Sequence, residues 1–122
     1  MKQEDLKLIK KDFSARIPHG VKFMTWKEGY GESGINLSVG DAVGIVDDMI
    51  VTKNGSYDIR NCRAYLRKLS SMTEEEKEEY TKLNLFGTHW DFVDWCNEKG
   101  FDYRGLIEKY LAVELTEENL SI

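Results

Sequence analysis

The sequence predicts an α+β domain: an N-terminal helix, a small antiparallel sheet that is either open or curled into a compact barrel, and three C-terminal helices. Three observations carry this reading. An apolar stripe at helical spacing runs from residue 3 to 16 and stops at Pro18. The composition then shifts, with seven of the ten glycines falling between Gly20 and Gly55 among β-branched and aromatic runs. Beyond residue 73 the chain carries helix-capping signals in succession. At 122 residues it is long enough for one well-buried core and short for two, so it reads as a single domain: helix 1–17, β region 20–60, helical region 73–115 and a polar tail 116–122.

The first helix places Leu6, Ile9 and Phe13 on one face and Lys7, Lys10 and Lys11 on the other. Pro18 disfavours helical geometry at Ile17, so Ile17 is expected to be extended and His19-Gly20 to turn. Val21–Trp26, Ile35–Val39 and Ala42–Val46 read as strands. Asn54-Gly55, the pair suited to a two-residue hairpin turn, joins the runs 49–53 and 56–59. Thr73 with Glu76 has the form of a capping box opening a helix over about 74–84. Thr88 is placed to cap a second helix ending near Lys99, with Gly100 as its left-handed terminus and Phe101 as the contact beyond it. Asp102 is placed to cap a third, carrying Leu106, Ile107, Tyr110, Leu111 and Val113.

Composition excludes several classes. With 41% hydrophobic and 32% charged residues and a single proline, the chain is globular rather than disordered, and no run approaches the roughly 20 apolar residues of a membrane span. Cys62 and Cys96, 34 positions apart, have no metal-ligand spacing and fit two buried thiols in a reducing compartment. The expected location is the cytoplasm, with no membrane contact.

No catalytic, cofactor or metal motif survives inspection. Gly29-Tyr30-Gly31-Glu32-Ser33-Gly34 matches the dinucleotide fingerprint in letters, but a strand rather than a helix follows it, so it reads as a loop. His19 and His89 stand alone. Asp91, Asp94 and Glu98 lie on one solvated helix face, and Glu74–Glu79 form an acidic first turn that suits the helix dipole.

Two features remain as binding candidates. On the 88–99 helix, Trp90, Phe92, Val93, Trp95 and Cys96 cover an arc of roughly 220°, wider than one core-facing stripe. Burial is the favoured reading, with Trp26, Phe86, Phe101, Tyr103 and Tyr110 as packing partners; if part of the arc is open, Trp90 and Trp95 become anchors for a protein partner or a second copy. Arg60, Arg63, Arg67 and Lys68 form a basic segment with Tyr57 and Tyr65 available for stacking, which suits nucleic acid; the alternative is pairing with Glu74–Glu79. The net charge of −5 conceals a split: residues 1–68 carry 12 basic and 9 acidic side chains, residues 69–122 carry 5 and 13. The basic half is where an electrostatic face is expected.

The runs Tyr65-Leu66-Arg67-Lys68-Leu69-Ser70-Ser71-Met72-Thr73-Glu74-Glu75-Glu76-Lys77 and Phe101-Asp102-Tyr103-Arg104-Gly105-Leu106-Ile107-Glu108-Lys109, with Ala15-Arg16-Ile17-Pro18 and Gly20-Val21-Lys22, resemble a family of small uncharacterised proteins of gut Bacteroides-type bacteria and their prophages. The anchors span about 15–113. The resemblance implies a cytoplasmic, phage-associated product with an N-terminal helix, a variable β region and a helical C-terminal part, and no assigned activity. Relatives carry prolines where this chain has Ala64 and Lys68. Those prolines imply an extended 61–69, whereas this chain's Cys62, Leu66 and Leu69 also fit a short helix stripe. The reading that follows is a non-enzymatic accessory or protein-interaction protein of a phage or mobile element, the alternative being a small nucleic-acid-binding module built on residues 60–68.

Overall fold

The computed structural model describes residues 1–28, 35–53 and 55–116. The glycine-rich segment 29–34, Asn54 and the tail 117–122 lie outside the described residues. Helix α1 spans Gln3–Arg16, strands β1 to β5 span Lys22–Glu28, Ile35–Val46, Met49–Thr52, Gly55–Asp58 and Cys62–Leu66, helices α2 and α3 span Glu74–Phe86 and His89–Lys99, and β6 spans Ala112–Glu114. The strands form one six-stranded sheet ordered β4-β3-β2-β1-β5-β6. All neighbours are antiparallel except β5 and β6. The class is α+β as the sequence predicts, and the sheet is open rather than closed into a barrel.

The two strands expected over 35–39 and 42–46 are one long strand, β2. Its first part pairs with β1 and its second with β3, and the register slips between Ala42 and Gly44. That bulge bends the strand as it passes from one partner to the other. A hairpin does join these runs, but with Ile50 opposite Tyr57 and Thr52 opposite Gly55 it places Gly55 in β4 rather than at the centre of the turn, and Asn54 lies outside the described residues. Residues 62–66 are extended, not helical. Cys62, Ala64 and Leu66 point into the core while Arg63 and Tyr65 take the other face. As a strand this segment pairs with β1 on one side and β6 on the other, whereas a helix, bonded within itself, would leave the edge of β1 unpaired there.

The third C-terminal helix does not form. Gly105 and Tyr110 both sit at positive φ, +73° and +59°, left-handed positions that interrupt any helix between them. The Asp102 carboxylate caps a local turn, accepting from the amides of Leu106 and Ile107 at 2.9 and 3.0 Å. The apolar run then leaves as β6, where Ala112, Val113 and Glu114 pair with Ala64, Tyr65 and Leu66. Helices therefore lie at the N-terminus and in the middle of the chain, and after α1 the expected extended Ile17 is instead helical (φ −53°, ψ −45°), opening a short 3-10 turn over Ile17–His19 that takes Pro18 in its first positions and ends at left-handed Gly20.

Two cores result. Leu6, Ile9 and Phe13 of α1 lie on the inner face of the sheet with Phe23, Ile50, Ile59, Ala64 and Leu66, and Phe13 meets Phe23 edge to face at 5.0 Å. Such a pair adds about 1 kcal/mol beyond its area. Trp95, Cys96 and Phe101 form a second cluster with Leu69, Met72, Tyr80, Leu83 and Phe92. Here α2 folds back on α3 across Gly87-Thr88; Tyr80 packs on Phe92 at 5.8 Å and the Trp95 indole donates to Glu79 at 2.7 Å. The expected capping box of Thr73 with Glu76 is present, and Thr88 caps α3 as expected, there completing a second box with Asp91. Gly100, at φ +77°, ends α3 in the left-handed conformation.

The two cores are joined by a buried ionic cluster. Arg16 extends the Leu6-Ile9-Phe13 stripe and is fully buried, as is Asp12. Its guanidinium donates to both oxygens of Asp12, at 3.1 and 3.2 Å, and to the carbonyl of Cys96 on α3 at 3.3 Å. Arg104 donates to the same Asp12 at 3.1 Å, and both guanidiniums lie against the Tyr103 ring.

Candidate functional site

The four basic residues of 60–68 go to separate tasks. Arg60 lies on the surface and folds back on Asp58, donating at 2.9 and 2.7 Å, which holds the Asp58 carboxyl below its ordinary range. A pair this exposed contributes little stability. Arg63, on the outer face of the sheet, donates to the carbonyls of Tyr110, Arg60 and Cys62 at 3.0, 2.9 and 2.8 Å. It also covers the Trp26 ring at 5.1 Å. Arg63 thus clasps the left-handed turn at Tyr110 to β5, and burial pulls its pKa down from the ordinary arginine value. Arg67 makes a two-pronged pair with Glu76, 2.7 Å on each side, over the face of Phe101 at 4.4 Å. Lys68 lies 3.6 Å from Glu114. The internal pairing weighed in the sequence is realised at Arg67, and the other three use partners outside Glu74–Glu79. This arrangement gives the nucleic-acid reading no support, because the donors that would grip phosphate are already engaged.

The tryptophan-bearing helix divides. Trp95 is buried at the α2–α3 contact and stacks on Phe101 at 5.2 Å, whereas Trp90, one turn earlier, is 73% exposed. Burial of the whole arc is therefore overturned: α2 covers the Tyr80-facing side of α3 and leaves its first turn open. Of the expected packing partners, Phe101 and Tyr103 do meet the helix cluster. Trp26 instead lies under Arg63, and Phe86 and Tyr110 are 85% and 87% exposed.

What emerges is an apolar end to the helical hairpin. Leu85 and Phe86 close α2, Gly87-Thr88 reverses the chain, and Trp90 opens α3, so three large apolar side chains stand at one end with Leu85 69% exposed. Beside them lies a shallow groove of about 410 Å³ whose walls include Leu83, Phe86 and Trp95, with Glu79 and Lys82 at its rim. The hairpin is acidic: residues 74–99 carry eight carboxylates and three lysines. The sequence marks Trp90 as an anchor, places Phe86 among the packing partners and gives no sign of Leu85. The available signal was their place past the last inward residue of α2, Leu83, next to the turn.

Neither thiol is built for nucleophilic work. Burial pushes the Cys62 thiol up to about 12 and the Cys96 thiol up to about 11, the second partly offset by Arg16. Among the described residues no group of three or more His, Cys, Asp or Glu side chains is placed to hold a metal ion. Native protein at about pH 8 is expected to react with a disulfide reagent at least about 100-fold more slowly than a free cysteine, and at the normal rate once unfolded in urea. Rapid native labelling of either residue would reinstate a thiol chemistry.

Comparison of the chain with protein-family models, curated proteins and solved structures finds no match.

Proposed function

We propose that the protein is a non-enzymatic interaction module that receives a partner protein on the open end of the α2–α3 hairpin. The observation that carries this reading is the joint exposure of Leu85, Phe86 and Trp90 beside a groove floored by Leu83 and Trp95. A folded domain loses solubility by exposing such side chains together, and aromatic anchors next to a pocket are what binding surfaces use. The sealed thiols favour binding over catalysis. The resemblance to the Bacteroides and prophage family supports an accessory role for a phage or mobile element.

The occupant that fits is an amphipathic helix with a basic rim. Its apolar face matches the groove and its lysines or arginines match the surplus of carboxylates over 74–99. A second copy would bring two acidic hairpins together, which like charge disfavours.

The test is fluorescence anisotropy with two labelled helical peptides that share an apolar face and differ in rim charge. The lysine-rimmed peptide is expected to bind at least about tenfold more tightly than the glutamate-rimmed one, and the Phe86→Ala/Trp90→Ala protein to lose most of that binding. Both positions are solvent-exposed, so the variant is expected to keep its fold, to within about 0.5 kcal/mol per site. Binding indifferent to the double substitution, no binding of either peptide, or dimerisation of the free protein in light scattering would refute the assignment.

A further inference from the structure

A second concavity lies at the opposite end of α3 from the apolar tip. There the sheet and the helix terminus are tied together: the Arg67 amide donates to the Gly100 carbonyl and the Asp102 amide to the Arg67 carbonyl, both at 2.8 Å. Strand β1 begins beside the end of β5, since Phe23 pairs with Ala64, which brings the His19-Gly20 turn opposite Tyr65 and Arg67. The Leu115 amide donates to the Leu66 carbonyl at 2.7 Å and closes the third side. The result is a half-enclosed cleft of about 330 Å³, within the range of small-molecule sites.

Its walls are rich in donors. His19, Lys22, Tyr65, Arg67 and Lys99 line it, with Glu98 the one carboxylate, while Val21 and Leu115 supply apolar surface. Arg67 is spent on Glu76, and Lys22 on Asp41 at 2.9 Å. His19, Tyr65 and Lys99 make no side-chain hydrogen bond or ion pair to the described residues, so three unused polar groups border one cavity.

We infer that this cleft binds a small organic monocarboxylate, its carboxylate held by Lys99 with His19 and Tyr65 and its apolar body against Val21 and Leu115. The charge balance chooses this class over a phosphate. The cation left without an ion pair among the described lining residues is Lys99, Glu98 carries the opposite charge beside it, and the C-terminal end of α3 presents the negative pole of its dipole here. A dianion needs more compensation than that, whereas a carboxylate needs one charge-assisted contact, from Lys99, and hydrogen bonds from two further donors. The site is independent of the hairpin tip.

The experiment is a titration of isotope-labelled protein by amide NMR with benzoate, and separately with inorganic phosphate. Benzoate is expected to move the amides of Gly20, Val21, Gly100 and Leu115 saturably, with affinity falling about tenfold in Lys99→Met and measurably in His19→Gln and Tyr65→Phe. Phosphate is expected to move them more weakly. The dispersion of each variant's spectrum reports its fold directly, and Tyr65→Phe removes only a hydroxyl. The inference fails if benzoate moves none of these amides, if Lys99→Met binds as wild type does, or if phosphate binds more tightly than benzoate.

Discussion

Replacing Asp12 with alanine is expected to lower the unfolding free energy by about 3–5 kcal/mol, the loss found when one partner is removed from a buried ion pair. Asp12 is fully buried and neutralises Arg16, also fully buried, while accepting from Arg104. Truncating it leaves Arg16 in the protein interior with the Cys96 carbonyl and the Tyr103 ring as its remaining contacts. Against a typical total of about 5–15 kcal/mol this brings the domain near its threshold. Removing both charges is different in kind. Asp12→Leu with Arg16→Met fills the same space and leaves only the part-exposed Arg104 without its carboxylate, still bonded to the Tyr103 hydroxyl, so it is expected to recover most of the loss. Urea denaturation followed by circular dichroism measures all three proteins; an Asp12→Ala variant within 1 kcal/mol of wild type (roughly the worth of an exposed pair) would show that the cluster does not bind the two cores together.

That cluster also marks where reading the residues stopped short. The α1 stripe, the Thr73–Glu76 capping box, the Thr88 cap and the Gly100 terminus are local signals, set by residues within four positions of one another, and each appears where expected, while the hairpin forms with Gly55 in its second strand instead of its turn. Arg16 was passed over because a charged residue is by default a surface residue. The available clue was its spacing: positions 6, 9, 13 and 16 lie on one stripe, and Asp12 is four residues before it. Residues 102–113 failed for the opposite reason. Their apolar spacing suits a helix, but Gly105 weakens one by about 1 kcal/mol and the free edge of β5, nearly 50 residues away in sequence, offers a strand partner that no local pattern announces. The same non-locality decided the binding residues. Trp90 and Trp95 sit on one broad arc, and only the return of α2 over Trp95 makes one of them core and leaves the other open. Likewise the basic residues of 60–68 are close in sequence, but only Arg63 lies in β5, with Arg60 in the turn before it and Arg67 and Lys68 past its end, so each meets a different partner.

Arg67→Met is expected to cost about 2–3 kcal/mol near neutral pH and to flatten the acid dependence of stability. The paired Arg67 guanidinium holds the Glu76 carboxyl down to about 2 from an ordinary 4.5, against burial, which raises it, and with help from the Thr73 amide. A folded-state value below the unfolded one means a contribution complete above about 4.5 and lost as the pH falls towards 2. The full displacement corresponds to on the order of 3 kcal/mol. Wild type should therefore weaken steeply across that window, and Arg67→Met, with no guanidinium to lose, much less so. Urea midpoints at several pH values between neutral and about 2 compare the two; parallel profiles would mean that the pair does not govern acid stability. The structural consequence reaches the proposed binding surface. Arg67 lies on Phe101 and joins the end of β5 to the first turn of α2, so it fastens the helical hairpin to the sheet. Charge reversal at Arg67 would place two carboxylates side by side at that junction. Lost binding in an Arg67→Glu protein would then report a loosened hairpin rather than a lost phosphate contact, so Arg60→Glu, at an exposed residue that pairs with the surface carboxylate of Asp58, is the cleaner probe of any nucleic-acid affinity in this segment.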